Sequence, residues 1–259
     1  MPLTDDWRHI ILAITLCVPR LGAALAIIPL LSQQVVPGMI RNGVTLSFAL
    51  FVYPVVEPTI PREPADALFL VVILAKETFI GLGIGYAVAV VLWGVESAGF
   101  FIDNQRGAAM AGSLNPMSGE QTSPLGILLF QLVAVALFST GLFSQLLVAI
   151  FASYKMFPVW SFYPAFSPDA PAMFLRWIDG LMLATILLSA PVFVAMFLSE
   201  LGLALVSRFA PQLQVFFLAM PVKSAVGIFV LIVYIPFFLD YVFRDLDGFR
   251  FVTDVVGRL

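Results

Sequence analysis

Thirty-four consecutive residues, Gln121 to Tyr154, carry no formal charge. Two further uncharged runs of 20 residues lie between Arg20 and Arg41 and between Asp179 and Glu200. Leu68–Val95 is broken only by Lys76 and Glu77, and Phe209–Leu239 only by Lys223. A helix crosses a hydrocarbon layer about 30 Å thick with roughly 20 apolar residues, so each run is long enough to span. Composition agrees: 61% of the 259 residues are hydrophobic, 11% are charged, and the mean hydropathy is +1.03. Soluble domains carry about 25% charged residues. A chain with so little polar surface cannot cover a water-facing globule.

The reading is therefore an all-α, polytopic integral membrane protein. Helical regions are expected near 8–31, 39–56, 67–104, 124–154, 177–205 and 211–242, six in all, some of them broken or folded as hairpins. Pro124 is placed to start a helix, and Pro191 and Pro221 to kink one. Turn formers gather in Glu57–Asp66, Gly107–Pro124 and Phe157–Pro171. Alternating units of about ten residues, the mark of a membrane barrel, are lacking. Met1–Arg8 has Asp5, Asp6 and Arg8 before the first apolar run and no clear cleavage site, and is expected to be retained. Basic residues are spread along the chain; the modest concentration at Arg244, Arg250 and Arg258 favours a cytoplasmic tail.

Ionisable residues inside apolar helices are the natural candidates for function, because lipid does not tolerate them. Arg20 follows Pro19 in the first region, Lys76–Glu77 lies in the third, and Lys223 follows Pro221 in the last. Two readings stand for each: pairing or snorkelling at a helix end, or contact with a polar path or partner subunit. Glu96, Gly99, Asp103 and Arg106, at offsets of 0, 3, 7 and 10, share one side of a helix. Asp103 and Arg106 there form either a simple i,i+3 ion pair or part of a functional polar face. Gly81, Gly85 and Ala89 make a small-residue stripe suited to close helix packing. The following segment holds Gly107, Met110, Gly112, Leu114, Asn115, Pro116, Met117 and Gly119. Its glycines permit tight turns, Asn115–Pro116 discourages a helix, and its methionines fill irregular space. A plain connector would share that composition.

Soluble-enzyme chemistry finds no support. The single histidine, His9, reads as an interfacial helix residue, and Cys17, the one cysteine, as a small buried hydrophobe. No histidine cluster, cysteine pair or carboxylate set suggests a metal. No phosphate-binding loop or nucleophile elbow occurs. Gly81–Gly85 (GLGIG) lacks the strand–turn–helix setting of a dinucleotide site. No cofactor is expected. A net charge of −3 without a basic patch argues against nucleic acid.

Three ordered segments carry a resemblance to a known family. They are Pro19–Arg20–Leu21–Gly22 with Pro29–Leu30 and the Pro37–Arg41 turn; Glu96-x-x-Gly99-x-x-x-Asp103-x-Gln105-Arg106-Gly107 followed by Asn115–Pro116; and Pro211–Gln212-x-x-Val215–Phe216–Phe217-x-Ala219–Met220–Pro221-x-Lys223–Ser224. Across nearly its whole length the chain resembles the FliR/YscT/HrcT/SpaR (SctT) family of type III secretion export-apparatus proteins. Ala210 and Gln214 stand where the virulence-type pattern has asparagines.

The resemblance implies a non-enzymatic export-gate subunit of the bacterial inner membrane, with part of the assembled complex displaced toward the periplasm. It implies assembly with R-type and S-type subunits into the pore that unfolded secretion substrates enter. Contacts with the U-type switch protein, the inner rod and the large export-gate protein are implied as well. The fold it implies is a single subunit over 1–259 with long helical hairpins, fusing an R-like part (about 1–205) to an S-like hairpin and tail (about 206–259). Arg106–Ser123 becomes a pore-closure loop, and Arg20, Lys76, Glu77, Glu96, Gly99, Asp103, Pro221 and Lys223 become assembly or polar-path positions. The alternatives are a flagellar export-gate subunit and a small-molecule secondary transporter, which would also use midplane charges and Gly/Pro breaks. The Met220–Pro221-x-Lys223–Ser224 segment favours the virulence branch, and the absence of an inverted repeat disfavours the transporter.

Overall fold

The computed structural model describes residues 2–31, 36–61, 66–107, 123–161, 170–210 and 215–247. Among them lie α1 (Pro2–Ile27), α2 (Gly38–Val56), α3 (Ala67–Arg106), α4 (Pro124–Ser139), α5 (Leu142–Met156), α6 (Ala170–Phe209) and α7 (Val215–Asp247). Single 3₁₀ turns follow α1 at Pro29–Leu31 and α2 at Glu57–Thr59, and the described residues contain no strand. The protein is all-α. Among the described residues, five helical stretches are long and apolar enough to cross a membrane: Trp7–Ile27, Gly38–Thr59, Ala67–Arg106, Ala172–Phe209 and Leu218–Arg244. The α4–α5 pair supplies a sixth if it is counted as one broken span.

The longest uncharged run is where sequence and structure part. The expected single region 124–154 is two helices, bent by 73° where they meet. Gly141 causes the break: it sits at φ +77° in the left-handed region, which a helix cannot accommodate. Elsewhere most helix ends lie at or a few residues past the expected bounds, whereas α1 stops at Ile27, short of 31, and α7 begins at Val215 rather than 211. Pro19, Pro54, Pro191, Pro221 and Pro236 all lie inside helices that continue through them.

Contacts divide the chain into two units, which interleave in sequence. The first takes in Met1–Val90 and Phe138–Trp177, the second Val91–Leu137 and Ile178–Leu246. In the first, α1 buries Ala13, Leu16, Cys17, Leu21, Ala24 and Leu25, a stripe of helical period, and Ile28 just past its end is buried too. Against it α3 brings its small residues. A Cβ on Gly81 would overlap the backbone carbonyl of Arg20, and one on Gly85 would overlap Ala24 and Ile27. The glycine stripe read from the sequence is thus the seam between α1 and α3, with Ala89 also buried. Leu146, Ala149, Ile150 and Tyr154 of α5 complete this core.

In the second unit Leu92, Val95, Ala98 and Ile102 of α3 are buried, as are Leu129, Val133 and Leu137 of α4. Gly99 rests on Gly126, so these two helices touch through their backbones. Leu188, Val192 and Met196 of α6 and Leu231, Phe238 and Val242 of α7 are buried as well, and Met196 lies against Gly227. Outward positions are just as apolar, including Phe51, Val135, Phe229 and Phe237. Such an exterior suits lipid or protein neighbours rather than water.

Candidate functional site: polar clusters in apolar helices

Arg20, Lys76 and Glu77 form one cluster in the first unit. Arg20 occupies a core position of the α1 stripe and is fully buried, as is Glu77 on α3. The guanidinium grips the carboxylate with two bonds, Nε to Oε2 at 2.7 Å and Nη2 to Oε1 at 2.8 Å. Its other donors reach Ser153 Oγ at 3.1 Å and the Phe157 carbonyl at 2.8 Å, at the end of α5. The ring of Tyr154 lies 4.2 Å below Arg20 Cζ, and the tyrosine hydroxyl donates to the Cys17 carbonyl at 2.7 Å. Lys76 Nζ contacts Glu77 Oε1 at 3.0 Å and donates to the carbonyls of Pro158, Val159 and Ser161. Two cations therefore gather four carbonyls of the segment that follows α5, those of Phe157, Pro158, Val159 and Ser161, and so place positive charge beside the C-terminus of that helix. His9 makes a smaller tie in the same unit, with Nε2 3.1 Å from the Ile60 carbonyl and Nδ1 3.3 Å from Glu57 Oε1.

The second cluster sits where α3 ends and α4 begins. Asp103 is buried, and its Oδ2 accepts from Ser123 Oγ at 2.7 Å and from the Leu125 backbone N–H at 2.9 Å. Ser123 Oγ in turn accepts from the Gly126 N–H at 2.9 Å. Together these groups satisfy the first orphan N–H groups of α4. Arg106 Nη2 lies 2.7 Å from Asp103 Oδ1, so the i,i+3 ion pair exists. Gly107 closes α3 at φ +90°, and Met220 of α7 lies over it, with Cε 3.6 Å from where a Cβ would stand.

The four residues expected on one side of α3 do not share one environment. Gly99 and Asp103 are buried, Arg106 is half-buried, and Glu96 is exposed. Lys223 meets Glu200 of α6 at 3.1 Å; the lysine side chain is nearly buried and the glutamate about half exposed. Pro221 lies inside α7, one residue beyond Met220. Met110, Gly112, Leu114, Asn115, Pro116, Met117 and Gly119 fall outside the described residues.

Sequence reasoning did not single out Ser153, Tyr154 or Glu200, and named Met220 only as part of the Pro211–Ser224 segment. Only Met220 carried a signal, through its place beside Pro221 and Lys223. No group of three or more His, Cys, Asp or Glu side chains placed to hold a metal ion occurs among the described residues.

Comparison with known proteins agrees with this architecture. The chain is 47% identical over 233 residues to the Yop proteins translocation protein T of Yersinia pestis, covering 90% of this chain and 89% of that one. It is 31% identical to the secretion system apparatus protein SsaT of Salmonella typhimurium, over 86% of each chain. It is 30% identical to the flagellar biosynthetic protein FliR of Bacillus subtilis, over 83% of this chain and 82% of that one. Residues 11–248 match the family described as bacterial export proteins, family 1. With nearly all of its helices inside that match, the chain belongs to the bacterial export proteins, family 1.

Proposed function

We propose that this chain is an export-gate subunit of a type III secretion apparatus in the bacterial inner membrane. The observation that carries the reading is the 47% identity, over nine-tenths of both chains, to a protein named for the translocation of Yop proteins. The lower identity to a flagellar relative, 30%, makes a virulence-type system the better reading than a flagellar one. The specific partners are the R-type and S-type subunits, joined by the U-type switch protein, the inner rod and the large export-gate protein. Residues 1–205 form the R-like part and 206–259 the S-like hairpin. Part of the assembly stands toward the periplasm.

Within that assembly Arg106–Ser123 acts as the closure element. Gly107, Gly112 and Gly119 give it backbone freedom, while Met110, Leu114 and Met117 give it deformable apolar surface. It limits leakage at rest and yields when an unfolded substrate enters. The exposed Glu96 and the half-exposed Glu200 side chain beside Lys223 favour contact with neighbouring subunits, because a charge on an apolar exterior needs a polar partner. Co-expression with R-type and S-type subunits is the test. A detergent-stable complex is expected, with poorer recovery of the chain expressed alone. A well-behaved monomer that binds neither partner would overturn the assignment.

A further inference from the structure

We infer that the groove between α2 and α5 binds one anionic phospholipid, with an acyl chain lying in the groove and the phosphate held by Lys155. The site belongs to the first unit alone and does not depend on the export role proposed above. Phe51, Val52 and Val55 of α2 and Val148, Phe151 and Ala152 of α5 line a cavity of about 290 Å³ that opens to the exterior. Lys155 lines it too, at the C-terminal end of the α5 wall. On α5 the lining residues fall at offsets of 0, 3, 4 and 7, which is one face of a helix. Ring contacts fix the two walls: the Phe151 ring centre lies 5.4 Å from that of Phe51 and 6.1 Å from that of Phe48. Phe51 is 72% and Val148 63% exposed, so the groove displays apolar surface that water penalises.

Three observations select the occupant. The first is charge. Arg20, Lys76, Arg106, Lys223 and Arg244 each meet a carboxylate of this chain, but Lys155 is exposed and pairs with none among the described residues. Glu57, just beyond α2, is turned to His9 instead. The end of α5 does not require this lysine either, because Arg20 and Lys76 already hold the carbonyls that follow it. Its ammonium is left to an anion from outside the chain, and lysine binds phosphate as a point charge. The second is the wall itself. Apart from Lys155, the lining side chains carry no polar atom. An extended peptide laid there would leave backbone N–H and C=O groups unpaired, whereas an acyl chain has none to satisfy. The third is depth. Val55 and Lys155 each stand one residue from the end of their helix, so the polar end of the groove is where both helices stop. From Lys155 back to Val148 the wall descends about 10 Å along apolar residues. A headgroup at the lysine with its chain running toward Val148 matches that gradient.

The test is native mass spectrometry of the full-length chain, released from micelles doped equally with phosphatidylglycerol and phosphatidylcholine of matched acyl chains. The phosphate of phosphatidylcholine is neutralised by its own choline. One phosphatidylglycerol per chain is expected to be retained in preference to phosphatidylcholine by about three- to tenfold, the range for one exposed charge-assisted contact. Lys155→Gln should abolish the preference and Lys155→Arg should restore it. Val148→Phe, which fills the groove, should lower retention of both lipids. Both positions are exposed, so the variants should keep the parental denaturing-detergent midpoint. If Val148→Phe fails to fold, the two lysine variants carry the test. Equal retention of the two lipids by the parent, or a preference that survives Lys155→Gln, would overturn the site. Retention unchanged by a folded Val148→Phe would place the lipid elsewhere and overturn it too. Displacement of the lipid by inorganic phosphate alone would mark a bare anion site, and loss of the preference in a complex with R-type and S-type subunits would mark a partner helix as the occupant. Either result would overturn the assignment to lipid.

Discussion

Replacing Glu77 with glutamine keeps the shape of the buried cluster and removes its only negative charge. Arg20 and Lys76 then face each other as two cations with no carboxylate between them, in a site from which Arg20 and Glu77 are fully withdrawn from solvent. At an effective dielectric of about 20, a lost charge pair some 4 Å apart is worth about 4 kcal/mol. Removing one partner of a buried pair typically costs about 3–5 kcal/mol, which agrees. The remaining bonds from Arg20 to Ser153 and the Phe157 carbonyl do not neutralise it. Glu77→Gln should therefore weaken the fold by about 3–5 kcal/mol, roughly two to four decades in the folding equilibrium. The assay is tryptophan fluorescence in mixed micelles of rising denaturing-detergent fraction. The decisive comparison is a cycle with Arg20→Met and Arg20→Met/Glu77→Gln. Removing both charges leaves no uncompensated guanidinium, and Lys76 keeps its three carbonyl partners, so the double variant should be less destabilised than the sum of the single ones by about 2 kcal/mol or more. Additivity within about 0.5 kcal/mol would refute the reasoning and show that the two residues act as packing alone.

Gly81→Val should destabilise the first unit by about 1–3 kcal/mol, because the new side chain meets the Arg20 backbone, which cannot swing aside as a side chain can. Gly83→Ala is the control: its Cβ would sit 3.4 Å from the Phe174 ring edge, and the detergent midpoint should stay close to the parent. Gly141→Ala should cost about 1–2 kcal/mol from the left-handed backbone alone, since nothing lies within 4 Å of the added methyl. Gly141→Asn should recover part of that loss in the same titration, as asparagine tolerates this conformation.

The helices were legible because lipid-length apolar runs admit few other structures, and the Gly81–Gly85 stripe announced a close seam. The partner in that seam was not legible, since Arg20 lies 61 positions before Gly81 and nothing local joins them. Long-range pairing hid the charges for the same reason. Arg20 and Glu77 are 57 residues apart, and Lys76 finds its carbonyls 82 to 85 residues on. Of the two readings left open for Arg20 and Glu77, the pairing is present within the chain itself. The helical offsets that grouped Glu96 with Asp103 described α3 correctly as a helix but not what packs on each part of its face: α4 covers Gly99 and Asp103 and leaves Glu96 exposed. The break at Gly141 escaped notice because one glycine among apolar neighbours leaves hydropathy unchanged.

The length of α3 has a consequence for where its surface can reside. Its 40 residues, at about 1.5 Å each, make a rod of roughly 60 Å, twice the hydrocarbon depth of a bilayer at about 30 Å. Fitting it entirely within lipid would need a tilt of roughly 60°, beyond the range of about 0–40° that spanning helices adopt. Yet both ends carry bare apolar side chains, Leu68 and Val71 at one and Phe100 and Phe101 at the other. Water penalises such surface in proportion to its area. The surplus half of the rod consequently demands a sheath of neighbouring polypeptide, and the hydrophobic mismatch of a single helix becomes a measure of how much protein must surround it.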